Sequence, residues 1–255
     1  MTPAPPFSGY DPFAWIYNKH WGESFLPTIL PVLENLVLRR LRRGARILDL
    51  CCGTGQLARR LSAMGYRVTG VDGSAAMLSY AGQNAPGVEF IQADARSFTL
   101  PQQYHAVVSA FDSLNHVMTL RDLKAVFERA YAALRPGGCF LCDLNTEPGY
   151  IHEWHGDFTI VEEDHVCVVQ NTYSPARRVA TFDGTIFRLE EGHWRRTDVL
   201  LYQKCHDPAR VKAALKAVGF ADIEVFGFDH ENGVQPLNKE MRRAFFFGRK
   251  RVPTS

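Results

Sequence analysis

The stretch Ile47-Leu48-Asp49-Leu50-Cys51-Cys52-Gly53-Thr54-Gly55-Gln56-Leu57-Ala58 constrains this chain more than any other. It opens as a short apolar run, as a buried parallel strand does, and breaks on two glycines. It then enters a segment in which Leu57 and Leu61 stand four apart, as a helix requires. Strand, glycine turn and helix start together make a backbone platform. Gly53 and Gly55 admit close approach to the main chain and unusual backbone angles, and the helix start offers N–H groups without intrahelical partners. A ligand is expected over this turn.

The pattern that follows repeats the unit. Strands are expected over 47–49, 68–72, 88–94, 106–111 and 139–144. Gly65 closes the first intervening helix, Ser74 caps the second, and Thr119 with Asp122 caps the third. Alternation of this kind predicts an α/β fold, doubly wound, with helices on both faces of a mostly parallel sheet. Strands over 223–228 and 244–248, joined without a helix, bring the count to seven and are expected to be antiparallel. A helix begins at Asp207-Pro208 and ends at Gly219. Residues 158–204 read instead as half-polar strands with turns at 162–164, 174–175 and 190–192.

The expected organisation is an N-terminal helical cover over 1–43, a core over 44–145 and 207–252, and an antiparallel β insertion over 146–206. Within the cover a helix is expected over 23–43, with Arg39, Arg40, Arg42 and Arg43 facing its C-terminus and Gly44 as its cap.

Composition narrows the function. A chain of 255 residues that is 46% hydrophobic can bury one large core. Its net charge of +2 gives no footprint for nucleic acid or an anionic membrane. Nowhere do eighteen consecutive apolar residues occur, and the first eight hold three prolines and no apolar run. No membrane, no nucleic acid and a cytoplasmic location are the expectations. Cys139 and Cys142 are three apart in a strand, which puts them on opposite faces. His152-Glu153-Trp154-His155 is not the H-E-x-x-H metal motif, so no metal is expected. Trp194, Leu200 and Tyr202 can share an exposed face, which leaves a homodimer contact open beside ordinary packing.

Ligands of open α/β sheets lie at the carboxyl ends of the strands. Asp49, Asp72 and Asp94 stand at three successive strand ends, and Phe111-Asp112-Ser113-Leu114-Asn115-His116 follows the fourth. Asp72, nineteen positions after Gly53, can reach a ribose diol over the turn, and Asp94 can accept from an exocyclic amine. Each aspartate alone is also an ordinary cap or turn former.

Asp49-Leu50-Cys51-Cys52-Gly53-Thr54-Gly55, Val71-Asp72, Ala93-Asp94-Ala95 and Leu134-Arg135-Pro136-Gly137-Gly138 resemble, in that order, the motifs of class I S-adenosylmethionine-dependent methyltransferases. Tyr10-Asp11-Pro12-Phe13-Ala14-Trp15-Ile16-Tyr17 resembles the leader of their small-molecule branch. Cys51 departs from the pattern, which usually has glycine there. The resemblance implies a cofactor, S-adenosyl-L-methionine, held by Asp49, Cys51, Cys52, Gly53 and Gly55 near its amino-acid part. Asp72 and Gly73 would meet its ribose, Met77, Asp94 and Ala95 its adenine, and Phe111 its methyl side. Tyr10, Tyr17 and Trp21 would fold over it, or else merely seat the first helix.

It implies methyl transfer to nitrogen or oxygen of a small-molecule acceptor by in-line displacement. His116 is the first candidate for a base, His152 and His155 the second, with Asn115, His116, Tyr150 and Tyr173 as candidates for holding substrate. Gly53-Thr54-Gly55-Gln56-Leu57-Ala58 also fits the G-x-G-x-x-A of nicotinamide-dependent oxidoreductases. A non-catalytic binding module is the other alternative.

Overall fold

The structure is a computed structural model and describes residues 9–154 and 156–252; Met1–Ser8 and His155 lie outside the described residues. Eight strands form the main sheet: β1 (Arg46–Leu50), β2 (Arg67–Asp72), β3 (Glu89–Gln92), β4 (Tyr104–Ser109), β5 (Leu134–Asn145), β10 (Phe220–Asp229), β11 (Gly233–Pro236) and β12 (Arg243–Lys250). Their order is β11-β10-β12-β5-β4-β1-β2-β3. The strands β3, β2, β1, β4 and β5 run parallel, whereas β12, β10 and β11 pair antiparallel. Seven strands were expected, and β11 is the eighth. It is a four-residue edge strand that folds back on β10 after the turn at Asp229, whose carboxylate accepts from the backbone N–H groups of Glu231 and Asn232.

Alternate residues of the buried strands feed two cores. Leu48, Val107, Phe140, Cys142 and Phe246 pack under α5 (Leu120–Ala133) and α7 (Pro208–Val218). Ile47, Val108, Cys139, Leu141 and Phe245 pack under α2 (Leu26–Leu36) and α3 (Gln56–Ala63). Cys139 and Cys142 therefore lie on opposite faces of the sheet, as their spacing requires. The caps follow the sequence: the side chains of Ser74, Thr119 and Asp207 accept from backbone N–H groups at the starts of α4 (Ala75–Asn84), α5 and α7.

The helix expected over 23–43 is shorter. It ends at Leu36, where Val37 leaves helical geometry (φ −122°, ψ −59°), and Val37 and Leu38 turn into the core. A single 3-10 turn, Leu38–Arg40, follows. Arg40 still serves the helix end, donating to the carbonyls of Asn35 (3.2 Å) and Leu36 (2.5 Å). Gly44, eight residues beyond, instead pairs its N–H with the carbonyl of Gly65.

Between β5 and α7 the chain forms α6 (Glu147–Glu153) and a separate antiparallel sheet, β6 (Gly156–Glu162), β7 (His165–Ser174), β8 (Val179–Glu190) and β9 (His193–Lys204), in that order. Glu191 and Gly192, with φ of 50° and 78°, make the tight turn between β8 and β9. The inner face of this sheet (Cys167, Val169, Phe182, Ile186, Val199 and Leu201) packs on Phe13, Ile16 and Met77. Its outer face carries Trp194, Leu200 and Tyr202, each about half exposed.

The N-terminal cover, with α1 (Ala14–His20), is thus held from two sides. Asp11 accepts from Ser74, and Asn18 accepts from Gln56 and Asn84. On the other side His20 Nε2 meets His165 Nε2 at 2.7 Å, and Lys19 pairs with Asp164. Among the described residues no helix is long and apolar enough to cross a membrane.

Candidate active site

Strand order reverses between β1 and β4, and a cavity of about 240 Å³ opens over the carboxyl ends there. Cys51, Gly53 and Gly55 all adopt left-handed backbone conformations, with φ of 61°, 53° and 82°. At Gly55 the reason is crowding as well, because a Cβ would lie 3.0 Å from the Ala81 backbone on α4. Gly53 instead faces the cavity opposite Tyr17. The Asp72 carboxylate accepts from the N–H groups of Gly53 and Ser74, both at 2.9 Å, and so binds the glycine turn to the end of β2. Burial pushes its pKa up, and those backbone hydrogen bonds work the other way.

Tyr10, Tyr17, Cys51, Gly73, Met77, Asp94, Ala95, Phe111 and His116 also line this cavity. Asp94 is gripped by its neighbour, since Arg96 forks onto both carboxylate oxygens at 2.6–3.0 Å. Partial burial works to raise its pKa, but the Arg96 hydrogen bonds hold the carboxyl below its usual range. An exocyclic amine there would share the carboxylate with that guanidinium.

Below the turn a small recess of about 40 Å³ is lined by Asp49, Cys51, Cys52 and Gln56. Asp49 is 2% exposed, and its Oδ2 has no hydrogen-bond partner. Burial, reinforced by the nearby Asp72 charge, pushes its pKa up to about 7.

A second cavity, of about 260 Å³, adjoins the first, and Tyr10, Tyr17, Phe111 and His116 line both. At this shared wall His116 donates from Nδ1 to the carbonyl of Tyr202 (2.7 Å), which leaves Nε2 as an acceptor. Nε2 takes the hydroxyl of Tyr10 at 2.5 Å, with the amide of Gln203 at 3.1 Å. Burial lowers the His116 pKa and raises that of Tyr10, so the resting pair is neutral imidazole and phenol.

Gln203 is fixed in turn: it donates to Asp112 (2.6 Å) and accepts from Tyr150 (2.8 Å) and Asn145 (3.3 Å). Arg243 closes the network by pairing with Asp112 at 2.8 Å and with Asp143. Phe111 and Asp112 carry positive φ (61° and 48°), a strained pair that persists because Phe25 stacks on Phe111 and Arg243 holds Asp112.

Not every candidate from the sequence reaches a cavity. Trp21 lines the second cavity and not the first. Asn115 is fully buried and ties β5 to β9, accepting from Asn145 N–H and donating to the Lys204 carbonyl. Tyr150 is fully buried behind the second cavity, with Tyr173 stacked on it at 5.1 Å. His152 is exposed on α6 and lines neither cavity. Sequence reasoning gave Asp112 a place after the fourth strand but no role, and missed Gln203, Arg243 and Asn171. Each is a single polar residue in or beside a strand, with no motif to mark it.

Comparison with known proteins gives the family. The methyltransferase domain family matches residues 47–138. A putative methyltransferase of Bacillus subtilis, YqeM, is 32% identical over 181 residues, spanning 69% of this chain and 73% of that one. The Streptomyces fradiae dTDP-3-amino-3,6-dideoxy-alpha-D-glucopyranose N,N-dimethyltransferase is 33% identical over 124 residues, 47% of this chain and 49% of its own. In structure, an S-adenosylmethionine-dependent methyltransferase of Clostridium acetobutylicum superposes with a TM-score of 0.72 at 21% identity, covering 95% of this chain and 99% of the other. This chain belongs to the methyltransferases, and its fold is that of S-adenosylmethionine-dependent ones.

Proposed function

We propose that the protein transfers a methyl group to nitrogen or oxygen of a small molecule, with the donor over the glycine turn and the acceptor in the second cavity. The observation that carries this reading is the wall the two cavities share at Tyr10, Tyr17, Phe111 and His116. The Streptomyces fradiae relative, by its name an amino-sugar N-methyltransferase, supports a small-molecule acceptor.

The residues fit the cofactor. S-adenosylmethionine, when bound, supplies an electrophilic methyl group on a positively charged sulfur. Asp72 would hold its ribose, and Met77, Asp94 and Ala95 its adenine. Asp49, with its unpartnered buried oxygen, would hold the ammonium of its amino-acid part. The aromatic faces of Tyr17 and Phe111 suit a sulfonium charge. A nicotinamide dinucleotide fits worse, because its pyrophosphate would meet Asp72 and find the Gly53 and Gly55 N–H groups already bonded, to Asp72 and Cys52.

The chain's own part is positioning and proton removal. The acceptor's proton reaches the Tyr10 oxygen as the Tyr10 hydroxyl proton moves to His116 Nε2. The Tyr202 carbonyl then stabilises the imidazolium through Nδ1–H. Gln203 holds the ring in place, and the covering α1 and inserted sheet keep water out. The test is transfer of a labelled methyl from S-adenosylmethionine to a pool of small metabolites. Label in a small acceptor with wild-type protein, and its loss in His116→Phe, is the expected result; label only in macromolecules would overturn the reading.

A further inference from the structure

Among its described residues, the second cavity offers no free cation to a ligand. Arg243 is the only lysine or arginine among its described lining residues, and both its terminal nitrogens are engaged by Asp112 and Asp143. Nearby Arg242 is tied to Glu153 at the rim. The amide N–H groups of Gln203 go to Asp112 and His116, the Asn145 amide goes to Gln203, and the Tyr10 hydroxyl goes to His116.

The donors left over belong to aromatic side chains, Tyr17, Trp21 and Trp154, whereas the unmet non-aromatic groups include acceptors. The Oδ1 of Asn171 is buried without a partner, and Glu153 spends one oxygen on Arg242. A buried acceptor left unpaired is costly, so a ligand that brings a donor there gains by it. The rest of the wall is aromatic: Phe13, Trp21, Phe111, Trp154, Phe158 and Phe182. Such faces attract flat or apolar rings and cations alike.

Resting on the assignment of this cavity to the acceptor, we propose that the acceptor is a ring-bearing amine without phosphate. Its N–H groups satisfy Asn171 Oδ1 and the carboxylate side of the cavity, while its ring lies among the aromatic side chains. A nucleoside diphosphate sugar, the substrate named for the Streptomyces fradiae relative, would bring two phosphate charges to a wall whose one guanidinium is already neutralised.

Calorimetry on protein saturated with S-adenosylhomocysteine tests this with three probes: 2-phenylethylamine, 2-phenylethanol and thymidine diphosphate. The amine should bind about tenfold or more tightly than either of the others. Asn171→Leu should weaken the amine about fivefold to tenfold, with the melting temperature not lowered and the S-adenosylhomocysteine affinity unchanged. Thymidine diphosphate binding as well as the amine, the alcohol matching the amine, an indifferent Asn171→Leu, or no binding by any probe would each overturn the proposal. The methyltransferase reading is judged separately by the initial S-adenosylhomocysteine titration and by labelled methyl transfer. Label passing to a phosphate-bearing acceptor would sink this inference and leave that one standing.

Discussion

The two halves of the site are built on different plans. The glycine-turn half is local: Asp49, Gly53, Asp72 and Asp94 sit at the ends of β1, β2 and β3 or just beyond, and Asp72 holds Gly53 across nineteen residues of sequence. The aromatic half is assembled from afar. Tyr10 meets His116 across 106 residues, Gln203 meets Asp112 across 91, and Arg243 meets Asp112 across 131. The first is a property of two successive β-α-β units. The second exists only when cover, inserted sheet and β12 are all docked. Damage to the second should therefore spare the first.

The largest expected effect tests that separation. Arg243→Met leaves the carboxylates of Asp112 and Asp143 buried without their cation, which costs about 3–5 kcal/mol in urea unfolding at pH 7. The loss should shrink at lower pH, because burial, eased by Arg243 in the wild type, already pushes the Asp143 pKa up and its protonation relieves the uncompensated charge. At temperatures where the variant is folded, S-adenosylhomocysteine affinity should stay within about threefold. A loss of donor binding equal to the loss of stability would show that the halves are one unit.

Next in size is His116→Phe, which removes the proton acceptor and should lower kcat by about 10²–10³-fold with little change in donor affinity. Burial holds the wild-type His116 pKa below its ordinary value. Neutral imidazole is the competent form, so activity is retained as pH falls to about 6.5 and is lost only below it. On the alkaline side Tyr10, its pKa raised by burial, stays protonated and imposes no limb near pH 9. A pH–rate profile with its acid limb above about 7 would contradict the assignment.

The same contrast explains what the sequence disclosed. Strand-end aspartates, the glycine turn, the caps at Ser74, Thr119 and Asp207 and the turn at Glu191-Gly192 depend on neighbours a few residues away, and all were legible. The break after Leu36 was not, because Val37 and Leu38 continue the apolar pattern while turning into the sheet core. Nor can a sequence tell an aromatic side chain that lines a cavity from one that lies behind it. Tyr150 and Trp154 stand on consecutive turns, yet Trp154 reaches the second cavity and Tyr150 is buried beneath it on Gln203. Gln203 itself is one polar residue in an alternating strand, and its four partners come from three segments: residues 112–116, the end of β5 and α6.

On the glycine-turn side the effects are smaller. Asp72→Ala deletes both the turn's anchor and the proposed ribose contact, and should weaken S-adenosylhomocysteine about 10- to 30-fold in calorimetry. Asp49, its pKa pushed up to about 7, is largely protonated at pH 6. An arriving ammonium favours the carboxylate, so binding should release a fraction of a proton there. Affinity should then rise severalfold from pH 6 to pH 8. Titrations in buffers of different ionisation enthalpy measure that proton directly; Asp49→Asn should abolish the release.

The smallest effect comes from the one position that departs from the family pattern. Cys51 holds φ of 61°, where an L side chain is disfavoured by about 1–2 kcal/mol. Cys51→Gly relieves that strain, but it forfeits the packing of the thiol against the core and adds about 0.5–1 kcal/mol of backbone entropy to the unfolded chain. The terms nearly cancel, so stability should change by less than about 1 kcal/mol, in favour of glycine. Donor affinity separates two accounts of the cysteine. If the cofactor meets position 51 through the backbone, the variant binds S-adenosylhomocysteine within about threefold of wild type. A larger loss would make the Cys51 side chain itself part of the cavity's grip, and the glycine-turn half would then depend on more than its backbone.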